Sequence, residues 1–141
     1  MIKGAIIGLR LSTTKGEITR ALLEGVALEM KLNLQLMEES GMKIDTLIAT
    51  GGGTRNKAWT QLKSDVLNKR IIVRNVVEAG CYGAAMLACS TTEKLDVAQL
   101  LRQNLGESEV FTPDKKNAVT YDSKFISYKK LYPSLKSFWN A

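Results

Sequence analysis

The stretch Leu47-Ile48-Ala49-Thr50-Gly51-Gly52-Gly53-Thr54-Arg55-Asn56 runs from a short apolar strand into three consecutive glycines, and an amphipathic helix follows from Lys57 to about Leu67. Glycine lacks a β-carbon, so such a bend can take positive φ and bring the main chain within hydrogen-bonding distance of a flat base, a ribose or a phosphate. The helix behind it points unpaired N–H groups and the positive end of its dipole at the same place. Asn56 stands at the N-cap position, where its side chain can close the helix or turn towards a ligand. Ordinary strand-to-helix turns use the same residues, so the bend alone does not choose between a nucleotide and a plain connection. It does exclude two well-known phosphate loops. Asn56-Lys57-Ala58 lacks the Gly-Lys-Ser/Thr ending of a Walker loop, and Asn56 stands where the dinucleotide fingerprint needs a third glycine.

Upstream of the bend lie Gly4-Ala5-Ile6-Ile7-Gly8-Leu9 and, after seven intervening residues, Glu17-Ile18-Thr19-Arg20-Ala21-Leu22-Leu23-Glu24-Gly25. Downstream come Lys63-Ser64-Asp65-Val66-Leu67-Asn68, then Glu78-Ala79-Gly80-Cys81-Tyr82-Gly83-Ala84-Ala85, with Tyr121, Tyr128 and Leu131-Tyr132-Pro133 near the end. In this order the stretches resemble the FGGY family of carbohydrate kinases, the upstream pair its second signature, and the likeness covers nearly the whole chain. The resemblance implies an α/β fold of the actin, hexokinase and Hsp70 ATPase type, which is ribonuclease H-like. It identifies residues 1–141 as a single nucleotide-binding domain, the C-terminal half of a two-domain kinase.

The same resemblance implies ATP-dependent phosphorylation of a sugar or polyol, with ATP and Mg²⁺ as cofactors. Gly51, Gly52 and Gly53 would then offer backbone contacts to adenosine and its nearest phosphate, and Asn56 a side-chain contact near the base or ribose. In the family, the N-terminal domain holds most of the sugar pocket, an Asp-x-Gly-Thr phosphate turn and the aspartate that deprotonates the attacking hydroxyl. No Asp-x-Gly occurs in this sequence. No catalytic residue is therefore assigned, the sugar stays open, and the chain alone is expected to be inactive. Asp65 lies two and a half turns beyond Asn56 and reads as a capping or loop-holding residue. Two other classes share the bend: an inactive nucleotide-binding regulator of the same fold and, further off, a basic interaction module.

Composition fits a soluble cytoplasmic domain, with 141 residues and 45% hydrophobic content. No apolar run approaches the ~20 residues of a bilayer span, so no membrane partner is expected. The absence of histidine and the presence of only two cysteines argue against a zinc site. Cys81 and Cys89 fall on one expected helix, where eight residues span about 12 Å, too far for a disulfide between them. The net charge of +6 gathers in part at Lys115, Lys116, Lys124, Lys129, Lys130 and Lys136. Their spacing suits the wet face of a helix whose other side carries Tyr121, Phe125, Tyr128 and Tyr132, so no nucleic-acid partner is inferred.

Along the chain, Gly4–Arg10 reads as a strand and Glu17–Ser40 as one long helix ending at Gly41. On that helix Glu17, Arg20, Glu24, Lys31, Gln35 and Glu38 share one narrow stripe, and apolar residues fill most of the rest, so it should be packed on more than one side. Unpartnered, that surface would favour self-association into a homo-oligomer. Glu29 and Asn33 interrupt the apolar arc and need local partners. Ile71–Arg74 reads as a strand and Glu78–Ala88 as a helix whose small residues allow close packing. A polar break follows at Ser90-Thr91-Thr92, then a short helix over Asp96–Gln103. A terminal helix is expected to start at Phe111-Thr112-Pro113-Asp114 and to be interrupted by Pro133.

Overall fold

A computed structural model of the protein describes residues 4–74, 76, 78–93, 96–104 and 108–139. The chain forms two compact units that alternate in sequence: residues 1–43, 65–68 and 113–141 make one, and residues 44–64 and 69–112 the other.

The first unit is built on two long helices. α1, Lys15–Glu39, starts at a complete capping box, in which the Glu17 amide donates to Thr14 Oγ1 and the Thr14 amide donates to Glu17 Oε2 at 2.7 Å. The Thr14 amide thereby holds the Glu17 carboxyl below its ordinary range. The helix ends where the sequence places its stop, at Gly41 with φ +96°. The other helix, for which we use the label α5, covers Lys115–Trp139. It starts at Asp114, whose Oδ1 accepts from the amides of Lys116 and Asn117. Ala27, Leu28 and Leu34 of α1 and Ala118, Tyr121 and Phe125 of α5 are buried.

α1 meets α5 through its polar stripe, the reverse of what its apolar composition suggests. Glu24 is buried, and it accepts from Tyr121 Oη at 2.9 Å, from Lys124 Nζ at 2.8 Å and from Arg20 Nε at 2.9 Å. Burial pushes the Glu24 carboxyl up, but these three donors outweigh it and hold the group below its usual range. Lys31 Nζ donates to Asp122 Oδ1 at 2.6 Å and to the Val66 carbonyl at 2.8 Å. Glu29 accepts from Tyr128 Oη at 2.7 Å, while Asn33 Nδ2 donates to the Glu29 carbonyl, so both interrupting residues find local partners. The lysines of α5 are exposed, as its wet face requires.

The second unit carries a three-stranded sheet in the order β1-β2-β3, with β1 at Thr46–Ala49, β2 at Arg70–Arg74 and β3 at Ser108–Phe111. β1 and β2 are parallel with Leu47 opposite Ile71, and β2 and β3 are antiparallel with Ile71 opposite Phe111. Ile71 and Phe111 are buried. α2, Lys57–Leu67, follows the glycine bend and buries Thr60 and Ser64 completely. The Ser64 hydroxyl donates to the Lys69 carbonyl at 2.8 Å, and Gln61 Nε2 donates to the Thr112 carbonyl. Asn68, with φ +52°, makes the left-handed turn from α2 into β2. α3, Ala79–Glu93, and α4, Val97–Asn104, complete the unit.

Five expectations are corrected. Gly4–Arg10 forms no ladder among the described residues, and Gly8 at φ +78° breaks its extended run. The Ser90-Thr92 break is absent because the hydroxyls of Ser90, Thr91 and Thr92 bond back to the carbonyls of Leu87, Ala88 and Cys89 and let α3 continue. Phe111 closes β3 instead of opening the last helix, and that helix passes through Pro133 without ending. Among the described residues a β-carbon at Gly80 or Gly83 would meet nothing within 4 Å, so no close approach among them explains these glycines.

Candidate functional site

The bend after β1 is closed by backbone geometry. Gly51 takes φ +87° and ψ 178°, a conformation open in practice only to glycine, and residues Gly52–Arg55 wind into one short 3₁₀ turn. Thr54 fastens that turn from within, because its amide and its hydroxyl both donate to the Gly51 carbonyl, at 3.1 and 2.7 Å. Sequence reasoning passed over Thr54. A hydroxyl three residues beyond a turn carbonyl is the signal that would have found it.

Gly52 and Gly53 are exposed, and among the described residues a β-carbon built on Gly51, Gly52 or Gly53 meets no atom within 4 Å. No side chain caps the start of the 3₁₀ turn. The bend is thus an open backbone surface whose first amides have no side-chain acceptor, the arrangement that suits an anion or a flat heterocycle. Of the three glycines, only Gly51 is required by its own φ.

Asn56 caps α2: its Oδ1 accepts from the Trp59 amide at 3.1 Å, and its carbonyl accepts from the Thr60 amide at 3.0 Å. With the oxygen committed, the Asn56 Nδ2 takes no hydrogen bond among the described residues and is the group its side chain can offer a ligand. On α2, Lys63 Nζ lies 5.0 Å from the Trp59 ring centre, and burial pushes its ammonium pKa down. Lys57 pairs with Glu109 at 2.8 Å on an exposed surface.

The four candidate residues therefore stand together on one bend, while Asp65 serves elsewhere. Its carboxylate accepts from the Asp114 amide at 2.9 Å and from Asn117 Nδ2 at 2.8 Å, which holds the start of α5 and matches its reading as a loop-holding residue. Glu78 is exposed and precedes α3, its carbonyl accepting from the Tyr82 amide. Among the described residues, the space over the glycines leaves their backbone open to approach. Among the described residues no three His, Cys, Asp or Glu side chains come together to hold a metal ion, so no protein-built cage for Mg²⁺ stands here. No helix among them is long and apolar enough to cross a membrane.

Comparison with known proteins gives a consistent result. Residues 1–92 match the FGGY family of carbohydrate kinases, C-terminal domain. Xylulose kinase of Bacillus subtilis is 29% identical over 141 residues, covering 99% of this chain and 28% of that protein. Among solved structures, xylulose kinase from Rhodospirillum rubrum superposes with a TM-score of 0.82 at 29% identity, over 99% of this chain and 28% of that one. Glycerol kinase from Plasmodium falciparum, solved with ADP, gives 0.74 at 30% identity, over 89% of this chain and 26% of that one. The chain thus spans little more than a quarter of the length of the proteins it resembles.

Proposed function

The chain belongs to the FGGY family of carbohydrate kinases, and from that premise we propose that it supplies the adenosine-side wall of the active site in an enzyme that moves a phosphoryl group from ATP to a sugar or polyol hydroxyl. The observation that carries this reading is the open, glycine-only bend at Gly51 with an uncapped 3₁₀ turn behind it. In this role the backbone of Gly51, Gly52 and Gly53 contacts adenosine and its nearest phosphate, and Asn56 Nδ2 reaches the base or ribose. The family fold, α/β and of the actin and hexokinase type, agrees with the mixed sheet and flanking helices.

Phosphoryl transfer is chiefly positioning and charge stabilisation, and Mg²⁺ arriving with ATP would supply charge neutralisation on the phosphates. This chain positions the nucleotide. The group that accepts the hydroxyl proton, and the pocket that selects the sugar, belong to the portion of such kinases that the chain does not match. Residues 1–141 act on this reading as one C-terminal nucleotide-binding domain.

The test is a chimera in which this chain replaces the matched part of Bacillus subtilis xylulose kinase. Gly52 has neither a left-handed φ nor a crowded surface, so Gly52→Val leaves the fold intact while filling the space over the bend. We expect sugar-dependent ADP release by the chimera, and a KM for ATP raised at least tenfold by Gly52→Val with the KM for xylulose unchanged. An unchanged KM for ATP would remove the bend from the nucleotide site.

A further inference from the structure

The peptide unit between Gly51 and Gly52 has one polar end engaged and the other free. Its carbonyl, on Gly51, accepts twice from Thr54, from the amide at 3.1 Å and from the hydroxyl at 2.7 Å. In a trans peptide unit, as this one is, the C=O and the N–H point in opposite directions. Two donors that draw the carbonyl into the turn therefore aim the Gly52 N–H out of it. Among the described residues that N–H takes no hydrogen bond, Gly52 is exposed, and a β-carbon on it would meet nothing within 4 Å.

Glycine does not fix such a direction by itself. With no β-carbon on either flank, the unit between Gly51 and Gly52 can swing at small steric cost, and a swung unit offers the open space an acceptor in place of a donor. Oxygens of a phosphate or a ribose repel that acceptor. The Thr54 amide bond belongs to the short turn and is open to any residue but proline, whereas the hydroxyl bond depends on the side chain. We propose that Thr54 is a positioning residue for the nucleotide: its hydroxyl locks the Gly51 carbonyl inward, so that the Gly52 N–H stands as a fixed donor to the bound nucleotide. The inference rests on the kinase reading above and gives a side chain that touches no ligand control over a backbone group that does.

The test is a titration of the isotope-labelled chain with ADP, raised to tens of millimolar and followed amide by amide in NMR spectra. In the parent, ADP is expected to displace the Gly52 amide resonance. Thr54→Val keeps the shape and removes the hydroxyl, and it should weaken ADP about fivefold, the order expected of one hydrogen bond. Thr54→Ser, which keeps the hydroxyl and loses the methyl group, should restore the affinity, as a role in packing alone would not. In the chimera described above, Thr54→Val should raise the KM for ATP by a similar factor and leave kcat and the KM for xylulose unchanged. Equal affinity for ADP in the parent and Thr54→Val overturns the proposal. So does ADP that displaces other amides of the bend but not that of Gly52, a result that needs no variant and leaves the nucleotide site standing. If no amide of the bend responds to ADP, the nucleotide reading of the bend falls, and the role of Thr54 with it.

Discussion

Gly51 and Gly53 stand two residues apart in one bend, yet only the first is held there by its backbone. At φ +87° and ψ 178° a β-carbon on Gly51 is strained whatever the space around it, whereas Gly53 has no such φ and open surroundings. Gly51→Ala is therefore expected to destabilise the chain by about 1–3 kcal/mol. Gly53→Ala should stay within about 0.5 kcal/mol of the parent, as surface substitutions do. Chemical denaturation of the two variants side by side checks this, and equal losses would show that the turn does not depend on the left-handed residue. Tyr128 offers a second residue-level test. Burial, and next its hydrogen bond to Glu29, push the phenol up to about 12. The unfolded phenol titrates near ~10, so the folded state favours the neutral form. That contribution to stability is complete below pH ~10 and is lost as pH rises through 12. Tyr128→Phe removes the donor, so between these limits its stability should fall less steeply with pH than that of the parent, as read from denaturation midpoints. A parallel decline in both proteins would show that Glu29 does not hold the phenol.

Helices and strands show which parts of the fold could be read from local sequence and which could not. α5 runs through Pro133, although proline has no N–H to give and clashes with the preceding turn. Near the end of a helix only the last turns suffer, so Pro133→Ala should gain about 1 kcal/mol instead of the ~3 kcal/mol of a mid-helix site. Thermal unfolding with helicity followed by circular dichroism measures this, and a loss of stability would mean that the ring itself packs usefully. The features read correctly were those set by contiguous residues: the glycine bend, the capping position of Asn56, the stop of α1 at Gly41, and the strands before the bend and at Ile71–Arg74. Those missed depend on what lies across space. Gly4–Arg10 has the apolar content of a strand, but a strand exists only with a neighbour to complete its ladder. β3 has four residues, Ser108–Phe111, too few for alternation to announce it beside the helix-start signal of Pro113 and Asp114. Ser90–Thr92 looked like a break because hydroxyls compete with helical bonding, and here they bond back to their own helix instead. The wheel of α1 sorted polar from apolar correctly without revealing that α5 takes the polar side.

At the scale of the whole molecule, the proposed role as one wall of the site leads us to expect little activity from this chain by itself. Transfer of a phosphoryl group to an alcohol needs a base at the hydroxyl, a cradle for the terminal phosphate and neutralisation of the phosphate charge, which a metal ion would supply. The bend at Gly51–Asn56 supplies an open backbone surface, and its helix cap commits one of the two polar ends of Asn56 to the Trp59 amide. The buried carboxylates are engaged for structure: Glu24 by Arg20, Tyr121 and Lys124, and Asp65 by Asp114 and Asn117. Neither stands on the bend, and among the described residues no acidic cluster fit for a metal accompanies it. A nucleotide held from one side only keeps much of its hydration and loses little freedom, so contact on this face alone gives weak affinity. The purified chain should bind ADP in the millimolar range or more weakly by calorimetry, and should release no ADP above the blank when given ATP, Mg²⁺ and xylulose, gluconate or glycerol. A coupled assay that found sugar-dependent turnover by these 141 residues would place a base and a phosphate cradle within the chain, and would require a different origin for the chemistry than the division of labour proposed for its family.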